Sequence, residues 1–96
     1  MSTSVAPSKI STKKYHFLLI VPISINISES LIRLFQENNC NDMIPTVQFK
    51  CLNLLFYREA ESYENAVKSA KSDVKITLEK LGFTDIKMNV INYEKA

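Results

Sequence analysis

Apolar residues occur in two kinds of run along this chain, and both kinds predict β-strands. Residues 15–25 (YHFLLIVPISI) and 52–57 (LNLLFY) are almost continuously apolar, which is typical of strands buried on both faces. Residues 46–51 instead alternate apolar and polar positions, and so do residues 86–90, as expected of strands buried on one face only. The well-paired part of the first strand is expected to end near Val21, because Pro22 has no amide hydrogen.

A helical period separates the first two of these strands. Asn26 and Ser28 are both suitable N-caps, and Leu31, Leu34 and Phe35 then follow at helical spacing. The polar residues from position 38 to 41 (NNCN) favour a turn. The pattern therefore predicts a short helix that ends around residue 38.

A longer helix is predicted between the third and fourth strands. Ser62 is the expected N-cap, and Gly82 is expected to stop the helix after Leu81 in a left-handed conformation. Its apolar positions recur every four residues: Ala66, Ala70, Val74 and Leu78. The element order is thus β-α-β-β-α-β, which predicts an α+β ferredoxin-like sandwich. In that fold two helices cover one face of a four-stranded antiparallel sheet whose first and third strands are central.

Length and charge limit the possible functions. A chain of 96 residues suits one domain, predicted over residues 14–94 after a flexible tail at 1–13. Three of the twelve basic residues (Lys9, Lys13 and Lys14) precede Tyr15, which leaves nine basic against ten acidic residues in the body. Binding to a phosphate backbone needs clustered cations, and the body shows no such stripe. No run of apolar residues approaches membrane-spanning length.

Residues that could carry chemistry lack the partners that chemistry needs. His16 has no second ligand at metal-binding spacing, and Cys40 has no neighbouring base. Cys40 and Cys51 are interpreted as reduced thiols of a cytoplasmic protein. Ser69 and Asp73, one turn apart on the long helix, are interpreted as a solvated face. We therefore expect no enzyme activity, cofactor or metal.

Two segments resemble a known group of proteins. Residues 34–42 (LFQENNCND) resemble the L-F-x-A-G-C-D-D segment of small, mainly uncharacterised bacterial proteins. Residues 54–74 (LLFYREAESYENAVKSAKSDV) resemble their L-x-F-x-R-E-A-x-S-x-x-x-A-I-x-S-A-x-x-D-V segment. In that family a ferredoxin-like half often precedes the helix-turn-helix of regulators or antitoxin-like proteins. Here the chain ends after the fourth strand, so the resemblance implies an interaction half or accessory subunit and not DNA binding.

The predicted function is a non-enzymatic interaction or regulatory module. It would bind another protein, or a second copy of itself as an oligomer, through the uncovered sheet face or a strand edge. The alternative is single-stranded RNA binding, with Tyr15 or Phe17 and Tyr57 stacking on bases. Arg58 is expected mainly to form a structural ion pair at the end of the third strand. The candidate partner-binding residues are Tyr15, Phe17, Leu55, Tyr57, Arg58 and Glu59.

Overall fold

Four strands and two helices follow one another in the predicted order. The structure, a computed structural model, describes residues 12–92. The elements are β1 (Lys13–Val21), α1 (Glu29–Glu37), β2 (Met43–Gln48), β3 (Cys51–Ala60), α2 (Tyr63–Lys80) and β4 (Asn89–Asn92). The predicted tail falls largely outside the described residues, as do the last two positions of the predicted domain, but Lys13 belongs to β1.

The two most apolar strands lie in the centre of the sheet, as predicted. All strand pairs are antiparallel, and the order across the sheet is β2-β3-β1-β4. β1 pairs with β3 along its whole length, from Lys13 opposite Ala60 to Val21 opposite Leu52. The pairing of β1 stops just before Pro22, because the next amide cannot donate to a neighbouring strand.

Both helices begin at a serine cap. The Ser28 hydroxyl accepts a hydrogen bond from the Leu31 amide at 3.2 Å, and the Ser62 hydroxyl accepts one from the Asn65 amide at 3.1 Å. Each bond satisfies an amide that has no partner within its own helix, so of the two caps considered for α1, Ser28 is the one used. α2 ends one residue before the predicted position, and Gly82 follows with φ +95°.

The β2–β3 hairpin differs from its prediction. β2 begins at Met43 and not at residue 46, and Gln48 pairs with Cys51 across a two-residue turn. Phe49 and Lys50 form this turn with φ of 53° and 61°, and positive φ at both positions is what a type I′ turn requires. Phe49 was predicted to be buried, but it is 95% exposed because it lies at the tip of the hairpin.

β4 begins later than its pattern indicated. The alternation at Ile86, Met88 and Val90 predicted a strand there, but only Asn89–Asn92 pairs with β1. Ile86 and Met88 precede the strand and still pack against the core. Their alternation therefore reflects burial more than strand pairing.

One hydrophobic core lies between the helices and one face of the sheet. α1 contributes Leu31 and Phe35 to it. α2 contributes Ala66, Val67, Ala70, Val74 and Leu78, and the sheet contributes Phe17, Leu19, Val21, Leu52, Leu54 and Phe56. The sheet residues are odd-numbered on β1 and even-numbered on β3, because successive side chains of a strand point to opposite faces. The other face of the sheet has no helix against it among residues 12–92.

Candidate functional site

A row of aliphatic side chains crosses the uncovered face, which we call the open face. Ile44 pairs with Leu55, Leu55 with Leu18, and Leu18 with Ile91, so the row has one residue from each strand. Ile44 is 61% exposed and Ile91 is 44% exposed, whereas the two central residues, Leu18 and Leu55, are half-buried. Aliphatic surface that spans a whole sheet face and stays in water is typical of an interaction site. We call these four residues the aliphatic row.

Aromatic and charged residues border the row on one side. His16 and Tyr57 are register partners whose ring centroids lie 5.4 Å apart at 64°. Lys14 pairs with Glu59 one level further along, and its Nζ lies 5.6 Å from the centroid of the Tyr57 ring. The Thr12 hydroxyl donates a hydrogen bond to the Glu59 carboxylate. This end of the open face therefore carries one cation and one anion on adjacent strands.

The opposite border of the row is mostly neutral and polar. Thr46 pairs with Asn53, Asn53 with Ile20, and Ile20 with Asn89. A shallow depression is lined by Lys14, His16, Ile44, Leu55 and Tyr57 of this face, together with Asn41, Asp42 and Met43 where β2 begins. Register partners on neighbouring strands lie at the same height along the strands, and we call each such set a level. The levels of the open face are, in order along the strands, charged, aromatic, aliphatic and polar.

Three of the six predicted partner-binding residues lie on the open face, and three do not. Leu55, Tyr57 and Glu59 occupy the odd positions of β3 and face away from the helices. Phe17 has no exposed surface and stacks on Phe56 in the core, with centroids 5.4 Å apart. The prediction that Phe17 is accessible to a partner is therefore wrong.

Tyr15, like Phe17, faces the helices. Its ring contacts Tyr63 of α2 edge to face, with centroids 6.1 Å apart, so the prediction that it lies on the open face is also wrong. The β1 residues that do lie there are the even-numbered ones, among them His16 and Leu18. The signal that could have found them was the strand parity, once Phe17 was recognised as a core residue.

Arg58, the third misplaced residue, forms a buried ion network on the helix side of the sheet. It is 6% exposed. Its Nε and Nη2 donate to the two carboxylate oxygens of Asp42 at 2.9 and 3.1 Å, and its Nη1 donates to Asp73 at 2.8 Å. The Ser69 hydroxyl, at 3.2 Å, and the Asn39 carbonyl accept further bonds. We call Arg58, Asp42, Asp73, Ser69 and Asn39 the Arg58 network.

The network fits the donor geometry of a guanidinium group. A planar fork matches a carboxylate with two parallel hydrogen bonds, as seen here with Asp42. Burial by itself lowers the pKa of Arg58, but the hydrogen bonds and charges of Asp42 and Asp73 outweigh it and raise the pKa above its ordinary value. Among the described residues no buried side-chain nitrogen or oxygen lacks a hydrogen-bond partner. The prediction of a structural ion pair for Arg58 is therefore confirmed.

Two further interpretations from the sequence change at this network. Ser69 and Asp73 are predicted to form a solvated face of α2, and this is confirmed only in part: Ser69 is exposed and Asp73 is partly buried, but both also bond to Arg58. Cys40 is buried beside the network, and burial raises the pKa of its thiol to about 12, although the charge of Arg58 acts in the opposite direction. A thiol with so high a pKa is a poor nucleophile at neutral pH.

Residues 12–92 contain neither a candidate metal site nor a helix that could span a membrane. In this part of the chain, no three His, Cys, Asp or Glu side chains come together in a way that could hold a metal ion. Neither of its helices has the length and apolar character needed to cross a membrane. Comparison with known proteins finds no matching family model, no matching curated protein and no matching solved structure.

Proposed function

We propose that this chain is a non-enzymatic protein-interaction module that binds its partner through the open face. The observation that carries the proposal is the aliphatic row, which sets an apolar residue from every strand on a surface that neither helix of residues 12–92 covers. Water around such a row is released when a partner covers it, which favours association. The charged and polar levels on either side supply the polar rim expected around an interface core.

The face is better suited to binding than the β2 edge of the sheet. β2 is an edge strand that carries Pro45, which cannot donate a backbone hydrogen bond to an added strand. An edge proline is a feature that discourages pairing with another chain.

The ferredoxin-like assignment of the fold is part of this proposal. Its support is the order β-α-β-β-α-β together with an antiparallel sheet in which the first and third strands are central. Read from the β4 edge, the strands run first β4, then β1, β3 and β2. Fold alone does not supply a function, so the proposed activity rests on the open face.

The antitoxin-like or accessory role is likewise a proposal, as is a cytoplasmic location. The antitoxin-like or accessory role is supported by five residues that belong to the sequence resemblance and lie together in space. Asp42, Ser69 and Asp73 bond to Arg58, and Cys40 is buried against the same group. A shared buried network would preserve the same framework in related chains, whatever their partners.

RNA binding receives less support than protein binding. Of the three rings considered for base stacking, only Tyr57 lies on the open face, since Tyr15 and Phe17 face the helices. Lys14 is the only cation among the residues described above for that face, and Glu59 lies opposite it. A row of aliphatic side chains also offers no stacking platform.

The proposal is tested by blocking the row. Leu55→Lys sets a charge in its centre, and the matched control Ile76→Lys sets the same charge on the outer surface of α2, where Ile76 is 45% exposed. The tagged full chain and both variants are compared by sedimentation and by affinity capture from the source cells. We expect association, with itself or with a captured protein, to be lost in Leu55→Lys and kept in Ile76→Lys. Association that is equal in all three chains, or absent from all three, contradicts the proposal.

A further inference from the structure

The charge pattern of the open face points to its partner. We infer that the open face binds a second copy of this chain, as a two-fold dimer in which Lys14 of each protomer faces Glu59 of the other. The inference rests on the proposed function and names the partner for the same surface.

The line between β3 and β1 divides the sheet into two pairs of strands, β2 with β3 and β1 with β4. With the order β2-β3-β1-β4, a two-fold axis parallel to the strands lays β1 of one protomer over β3 of its partner and β2 over β4. Rotation about this axis keeps every residue at its own level along the strands. Each level of the face therefore meets the same level of the second copy.

The levels that meet in this arrangement are complementary. Leu18 and Leu55 are register partners, so each lies over the other in the second copy, and the same holds for Ile44 and Ile91 at the ends of the aliphatic row. Two apolar sheet faces that pack in this way lie about 10 Å apart with strands within about 30° of each other. The aliphatic row becomes the centre of the interface.

The charges select this axis over the other face-to-face arrangement. Because Lys14 and Glu59 are register partners, the axis parallel to the strands sets each lysine against the partner's glutamate, twice in the dimer. An axis along the aliphatic row would reverse the strands and set Glu59 over the level of Cys51, so Lys14 and Glu59 would no longer face each other across the interface. Opposite charges at the rim favour one orientation more than they add affinity.

The size of the face predicts a weak dimer. Four strands about 4.8 Å apart, with four same-face levels about 6.8 Å apart, give a projected area on the order of 500 Å² per protomer. That is below the roughly 800 Å² per partner of a standard interface. We therefore expect a dissociation constant in the micromolar range, which sets the protein concentrations for the experiment.

Charge reversal at one position at a time tests the geometry. Lys14→Glu gives a protomer with two acidic groups at this level, and Glu59→Lys gives one with two basic groups. Each variant alone would place like charges opposite each other, so we expect its dimer to dissociate at least tenfold more readily than the wild type. An equimolar mixture restores both opposite-charge contacts, so we expect a 1:1 heterodimer at least as tight as the wild-type dimer.

Sedimentation velocity and native mass spectrometry at low ionic strength measure these outcomes, because salt screens exposed charges. Lys68→Glu on the exposed side of α2 is the control and should dimerise like the wild type. Circular dichroism melting of each variant alone checks that it is folded. The pair Lys14 and Glu59 also lies within one protomer, but a role confined to that protomer gives no preference for the mixed dimer.

Two results would overturn the inference. One is a mixture that associates no better than either variant alone, and the other is a wild-type chain that stays monomeric at hundreds of micromolar. If the wild type is monomeric but captures another protein that Leu55→Lys does not, then self-association fails while the proposed function stands. If Leu55→Lys changes nothing in either experiment, both fail.

Discussion

Tyr57 and Arg58 are neighbours in β3, yet their exposure is the reverse of what their chemistry suggests. The aromatic Tyr57 is 56% exposed, whereas the charged Arg58 is 6% exposed. Arg58 faces the helices, where Asp42 and Asp73 complete its hydrogen bonds and balance its charge. Tyr57 faces the side that neither of the described helices, α1 and α2, covers. The comparison shows that the exposure of a strand residue depends on whether a helix packs against its face of the sheet, and not on residue type alone.

The two faces also differ in what holds their residues in place. A buried charge needs every partner, because a guanidinium or carboxylate that loses its counterion inside a protein is not rescued by water. A half-exposed apolar residue on the open face keeps solvent on one side and contributes little to the stability of the monomer. We therefore expect substitutions on the helix side to change folding and those on the open face to change association.

The largest difference in the free energy of unfolding is expected between two aromatic truncations, one on each face of the sheet. Phe17→Ala removes a fully buried ring that stacks on Phe56, and should lower the free energy of unfolding by about 4 kcal/mol. Tyr57→Ala, with more than half of the residue exposed, should lower it by less than about 1 kcal/mol. Urea denaturation at low protein concentration measures both. Equal losses would show that the open face supports the monomer as much as the core does.

The next largest effect on stability is expected when the buried charge of Arg58, on the helix side of the sheet, is removed. Arg58→Met leaves Asp42 and Asp73 without their cation and should lower the free energy of unfolding by about 3 kcal/mol. Arg33→Met, on the exposed side of α1, is the matched control and should change it by less than about 0.5 kcal/mol.

A neutral version of the network separates charge from packing. Arg58→Met combined with Asp42→Asn and Asp73→Asn removes the uncompensated carboxylates, so it should recover part of the loss. If the triple variant is no more stable than Arg58→Met, the loss came from the packing of the guanidinium on Phe56, whose ring centroid lies 5.0 Å from Arg58 Cζ.

The smallest effect is a pH dependence at Cys40. Burial raises the pKa of this thiol from 9.0 to about 12 in the folded chain. Between these pH values the unfolded chain has lost the proton and the folded chain keeps it, so stability is retained below pH 9 and falls as pH rises. The slope should reach up to about 1.4 kcal/mol per pH unit.

Denaturation of the wild type and of Cys40→Ala at several pH values from 8 to 11 isolates this contribution from other alkaline titrations. The two curves should converge as pH rises above 9. Cys51→Ala is the control for removal of a thiol as such, because Cys51 is only partly buried. Parallel curves for wild type and Cys40→Ala would mean that the thiol ionises equally easily in both states.

The hairpin shows why part of the fold could not be predicted locally. Type I′ turns favour asparagine and glycine, because these residues tolerate positive φ, and the chain has Phe49 and Lys50 there. No turn signal separates the second strand from the third in the sequence. The turn is set by the register of β2 with β3, which pairs Gln48 with Cys51 and leaves Phe49 and Lys50 between the strands.

The sequence by itself determined the order of the elements and both ends of the long helix, since periodicity, Ser62 and Gly82 act over a few neighbouring residues. It also determined which strands are central, because only β1 and β3 are apolar at nearly every position. Tertiary structure alone decided which side chains of β1 and β3 point toward the helices. A continuous apolar run has no alternation that would distinguish the two faces of the strand. It also decided the Arg58 network, whose partners lie 16 and 15 positions away along the chain, on the turn before β2 and on α2. Such contacts depend on how helices and strands pack, which no local pattern encodes.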